Sequence, residues 1–271
     1  MQTMERQDVA PVHQQRRRPA PWPVEFYRSA VGKKWVMALT GIMLMGYVFF
    51  HMLGNLKVYF GPEDLNHYGE WLRDLLVPFF PRTVTLWLLR IGLIAAFVFH
   101  IHSAYGLTRM NRRARAEGGY VSKRDYQAAN AASRSMRYTG VVILLFLIWH
   151  LADLTWGTVN PDFVRGDIYR NLVASFERPA VSAIYIVANI ALGLHLFHGA
   201  WAMFQSLGVN NPKWNSWRRG FAAGFAGVVM IGNLTFPIAV LSGIVSADDN
   251  DDCVVSGDVI ETCEQYAGED E

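Results

Sequence analysis

Apolar residues fall into five blocks separated by polar and charged stretches. Each block is long enough to cross a bilayer core, which takes roughly 20 apolar residues to span. The pattern predicts helices over residues 34–60, 83–108, 138–156, 180–207 and 217–245. Gly41, Gly46 and Gly54 in the first helix and Gly220, Gly224 and Gly227 in the fifth suit close helix packing, because small residues let membrane helices approach. Asn233 and Pro237 lie deeper in the fifth helix, where neighbouring helices can satisfy the carbonyl that a proline frees. Pro62, Pro78 and Pro81 mark the first connection, with Trp71, Phe79 and Phe80, aromatic residues suited to the headgroup layer.

Hydrophobic residues make up 52% of the 271-residue chain, and their concentration in five blocks leaves nothing from which to build a soluble domain. The expected fold class is all-α, an integral membrane bundle of five transmembrane helices. The chain divides into an arm at 1–28, a membrane domain at 29–246 and an acidic tail at 247–271. The arm is Pro-rich, carries Arg16, Arg17 and Arg18 and has no sustained apolar periodicity, so it reads as flexible. It lacks the apolar core and cleavage pattern of a signal peptide and is expected to stay in the mature protein.

A net charge of +2 says little, but its distribution orients the bundle. Seven basic residues precede the first helix core, eight lie from Arg109 to Arg137 and three between the last two helices, whereas the opposite connections carry six and the tail carries ten acidic residues. Cytoplasmic loops carry the basic excess, so the amino terminus is expected in the cytoplasm and the carboxyl terminus outside. A multi-pass protein of the bacterial cell membrane is expected, with lipid and not nucleic acid around it.

Histidines carry the candidate chemistry. Titratable side chains inside membrane spans mark functional sites, and His51, His100, His102, His150, His195 and His198 all fall inside spans. At about 1.5 Å of rise per residue, His51 and His150 lie in the outer half, and His102 and His195 in the inner half. His100 and His102 are two apart, so they point to opposite sides of their helix and cannot share one site. His198 shares a face with His195, and either could be the inner ligand. Two neutral imidazoles suit the axial positions of haem iron. Arg90, a charge within the second span, reads either as a partner for a haem propionate or quinone oxygen, or as a residue reaching for the surface.

Several segments together resemble a known family: GKKWVMALTG followed by His51-Met-Leu-Gly-Asn-Leu, then His102-Ser-Ala-Tyr-Gly-Leu, Trp149-His150-Leu, and His195-Leu-Phe-His-Gly-Ala-Trp. In this order they are similar to the five-helix, dihaem cytochrome b membrane anchors of succinate dehydrogenase and fumarate reductase. The resemblance implies one or two b-type haems, with His51 and His150 as ligands at the outer position and His102 and His195 at the inner one. It implies a flavoprotein subunit and an iron–sulfur subunit as partners, and a quinone as the membrane substrate. The chain would then be a non-flavin subunit of succinate:quinone oxidoreductase, the respiratory complex II, and it carries no Gly-rich dinucleotide motif of its own. Donors available to a quinone at the inner surface are Ser29, Lys34 and Trp35. A dihaem cytochrome of another quinone-reacting oxidoreductase and a redox-silent anchor are the competing classes.

The tail holds the only two cysteines, Cys253 and Cys263. On the outer side they could close a disulfide loop in an oxidising compartment. With His51 and His150 they also make the two-cysteine, two-histidine set of a Rieske-type [2Fe-2S] centre, which would displace the outer haem.

Overall fold

Residues 20–116, 131–247, 255–256 and 259–260 are described by the computed structural model. Among the described residues the regular structure is helical apart from an antiparallel pair of two-residue strands, β1 (Val255–Ser256) and β2 (Val259–Ile260). Among the described residues five helices are long and apolar enough to cross a membrane, and the protein is a multi-pass membrane protein. They are α2 (Ala30–Asn55), α4 (Val84–Ala116), α5 (Ala131–Leu154), α7 (Pro179–Ser206) and α8 (Asn215–Leu241). Residues 1–19, the middle of the basic connection at 117–130 and both tail cysteines lie outside the described residues.

Three shorter helices add to the expected pattern. α1 (Trp22–Arg28) occupies the last residues of the stretch expected to be a flexible arm. Its turn into α2 is made by Ser29, whose hydroxyl donates to the Phe26 carbonyl at 2.7 Å and accepts from the Gly32 amide at 2.9 Å. Glycine is required at position 32, because a Cβ there would stand 1.9 Å from the Phe26 carbonyl oxygen.

α3 (Pro62–Arg73) and α6 (Ile168–Phe176) pack together at the opposite end. Pro62 opens α3 and Glu63 and Asp64 fill its first turn, a composition that favours a helix start. Asp167 caps α6 by accepting from the Arg170 amide at 3.0 Å. Asn66 joins the two helices: it donates to Asp167 at 3.1 Å and accepts from the Ile168 and Tyr169 amides at 2.8 and 3.1 Å.

The best-buried core lies at this α3–α6 end, where Met52, Leu65, Tyr169, Val173, Tyr185 and Phe236 belong to one cluster. Towards lipid the bundle presents large apolar side chains such as Leu39, Phe50, Leu88, Ile94, Leu145 and Val187. α7 is central, packing on α8, α5 and α2, while α2 also carries α4. Two helix pairs, α2 with α5 and α4 with α7, are not among the closely packed backbones. Histidines meet across both of those gaps.

Candidate functional site

Two pairs of imidazoles face each other inside the bundle. The His51 ring on α2 stands 5.9 Å from the His150 ring on α5, centroid to centroid, with the ring planes at 73°. The His100 ring on α4 stands 6.5 Å from the His195 ring on α7, at 60°. A metal–imidazole bond of about 2.0 Å, added to the reach from ring nitrogen to ring centre, puts two opposed imidazoles on one ion about 6 Å apart. Both pairs have that separation.

The second pair differs from the one expected. His102 does not meet His195; its Nδ1 is hydrogen-bonded to the Tyr27 hydroxyl and its ring stacks on the Tyr27 ring at 5.7 Å. The physical reason is helical phase. Two positions along an α-helix are about 200° apart, so once α4 turns His100 inward against α2, His102 points out towards α1. His195, and not His198, supplies the α7 ring that faces His100; His198 packs edge-on against Trp201 at 6.3 Å.

Hydrogen bonds orient three of the four paired rings. The Thr40 hydroxyl lies 3.2 Å from His100 Nδ1, and the Thr139 hydroxyl lies 3.2 Å from His195 Nδ1. The Tyr185 hydroxyl lies 3.4 Å from His150 Nδ1 and donates to Asp153 at 2.9 Å. Asp153 is wholly buried, and it also accepts from Ser175 and, at 2.6 Å, from Arg178. With that proton committed to Asp153, the Tyr185 oxygen is free to accept the His150 Nδ1–H. The His51 ring stacks on Tyr47 at 5.4 Å.

These residues fit a bis-imidazole metal group. Fixing one ring nitrogen as a donor leaves the other with its lone pair for a metal, the arrangement that outer hydrogen bonds impose on metal-ligating histidines. Among the described residues no group of three or more His, Cys, Asp or Glu side chains forms a metal-ligating cluster, so paired imidazoles are the donor sets present there. Among the described residues, buried polar atoms without a partner include Ser103 Oγ on α4, His198 Nδ1 and Trp201 Nε1 on α7, and two nitrogens of the fully buried Arg218 on α8. Buried polar groups are normally satisfied, and unpartnered donors on the helices that carry His100 and His195 suit a carboxylate-bearing group such as haem.

Arg90 is exposed, with its guanidinium 5.1 Å from the centre of the Trp87 ring. Ser29 spends its hydroxyl on the α1–α2 turn, and Lys34 and Trp35 are exposed at the same end of the bundle. The neighbouring Lys33, which sequence reasoning passed over, sets its ammonium 4.4 Å over the Tyr27 ring. An aromatic residue just before a basic collar was the signal for that contact.

The family model for the succinate dehydrogenase/fumarate reductase transmembrane subunit matches residues 108–234. That segment runs from the end of α4 through α5, α6, α7 and most of α8, and it contains His150 and His195. No curated protein and no solved structure matches the chain. Over residues 108–234 the chain is therefore similar to the succinate dehydrogenase/fumarate reductase transmembrane subunit family.

Proposed function

We propose that the chain anchors a flavoprotein and an iron–sulfur subunit to the membrane and carries electrons between the iron–sulfur subunit and a quinone. The observation that carries this reading is the pair of facing imidazole couples, each about the width of one bis-imidazole metal site, on a chain whose residues 108–234 match this family's model. His100 and His195 would hold one b-type haem near the α1 end, and His51 and His150 a second near the α3–α6 end. Bound haem iron supplies one-electron transfer at a potential set by its axial ligands and their surroundings. The protein's own part is to hold the rings opposed and to keep water away from them.

The basic excess supports a cytoplasmic α1 end, where the soluble subunits would dock. A quinone would meet the chain at that surface, beside Lys34 and Trp35. The hydroxyl–imidazole pair of Tyr27 and His102 stands close by and could pass a proton to a reduced quinone oxygen.

Reduced-minus-oxidised spectra and metal analysis of the purified complex test this reading. Two b-type haem signals and succinate-dependent quinone reduction are expected. No redox signal would leave a silent anchor, and partners without succinate or fumarate activity would move the chain to another oxidoreductase. A [2Fe-2S] resonance lost on Cys253→Ser would replace the outer haem by an iron–sulfur centre on Cys253, Cys263, His51 and His150.

A further inference from the structure

The same sequence element occurs twice in the membrane domain: Thr40-Gly41 with His51 eleven residues after the threonine, and Thr139-Gly140 with His150 eleven residues after the threonine. The structure gives both copies the same surroundings. Each threonine reaches Nδ1 of a histidine on a neighbouring helix at 3.2 Å, His100 in the first copy and His195 in the second. Each glycine lies against the same ring, where an added Cβ would be 3.6 Å from His100 Cε1 or 3.7 Å from His195 Cε1. The terminal histidines of the two copies, His51 and His150, meet each other. α2 with α4 and α5 with α7 are thus two versions of one unit, and each unit gives one imidazole to each of the two sites.

The direction of the threonine bonds follows from their other partners. The Thr40 hydroxyl donates to the Val36 carbonyl at 2.7 Å, and the Thr139 hydroxyl donates within its own helix to the Ser135 and Met136 carbonyls, both at 3.2 Å. A hydroxyl has one proton and two lone pairs. With the proton held by the helix, Oγ1 can only accept, so the ring nitrogen facing it must be the protonated one. That selects the Nδ1–H tautomer and leaves the Nε2 lone pair open. The glycines do less, since an extra methyl at those distances would only reach ordinary contact.

We infer that Thr40 and Thr139 are equivalent positioning residues that set the tautomer of His100 and His195, so that the inner site depends on both hydroxyls. This rests on His100 and His195 being the ligand pair proposed above.

The test uses the assembled complex carrying Thr40→Val or Thr139→Val, which keep the side-chain shape and lose the hydroxyl, with Thr40→Ser and Thr139→Ser as the conservative controls. Removing an outer hydrogen bond of this kind typically weakens metal binding about 10–100-fold. Each valine variant should lose or shift the inner low-spin signal and its midpoint potential while the outer signal stays, and each serine variant should match the wild type. Inner signals unchanged in both valine variants would overturn the inference, as would equal shifts at both sites. If valine disturbs assembly, Thr→Ala variants are read in the same way against the serine controls. A wild-type complex without any bis-imidazole signal would instead defeat the ligand assignment itself, and the inference with it.

Discussion

Asp153 and Arg178 form an ion pair at 2.6 Å across 25 residues of chain, joining the end of α5 to the residue that precedes α7. The carboxylate is wholly buried and the arginine side chain is 28% exposed. Asp153 also receives the hydroxyls of Ser175 and Tyr185, so a buried charge inside the bundle is compensated on every side. Through Tyr185 the pair reaches His150, which makes this cluster the frame of the proposed His51–His150 site.

Breaking the pair from one side leaves a buried charge uncompensated. Asp153→Asn or Arg178→Gln should destabilise the bundle by about 3 kcal/mol, the low end of the range for buried pairs because Arg178 is partly exposed. The double variant should recover part of that loss. Thermal unfolding in detergent checks this, and a double variant no better than the worse single one would remove the pairwise interpretation.

His100 and His102 separate the two candidate phases of α4. His100→Ala should abolish the inner redox signal and leave the outer one. His102→Ala should keep both signals, since its ring touches Tyr27 and not His195. The reverse pattern would mean that α4 is rotated in the assembled complex.

Asn66 supplies three hydrogen bonds between α3 and α6. Asn66→Ala leaves two amides and a carboxylate oxygen at the start of α6 without this partner, and should cost about 2 kcal/mol or more. Asn66→Asp keeps the acceptor but sets a second carboxylate against Asp167, and should be no milder. Melting curves decide, and an unchanged midpoint in both variants would show that α6 is held by other contacts.

Orientation is tested by labelling. A cysteine introduced as Ala116→Cys should react with an impermeant reagent only after cells are opened, whereas Cys253 and Cys263 should react from outside once reduced. Labelling of residue 116 in intact cells would invert the topology.

The five spans were legible in the sequence because a bilayer demands long apolar runs whatever the neighbouring helices do. Among the described residues five such helices are present, with Pro237 tolerated inside α8 as expected. α3 and α6 were not foreseen, although Pro62 with Glu63 and Asp64, and the cap at Asp167, were written in the chain. Short amphipathic helices at a membrane surface have no lipid-spanning pattern to announce them, and both depend on Asn66 and on the core at that end.

His51 and His150 were matched by depth and by the resemblance, and the structure brings their rings together. The incompatibility of His100 and His102 was equally plain, since helical geometry sends residues two apart to opposite faces. Which of them faces His195 was not plain, and matched depth and family resemblance both pointed to His102. The choice rests on the rotation of α4 against α2, which sets His100 against Thr40 and His102 against Tyr27. Depth is a one-dimensional property that counting along a chain can supply. The facing of a ring is set by packing between helices sixty residues apart, and only the assembled bundle decides it.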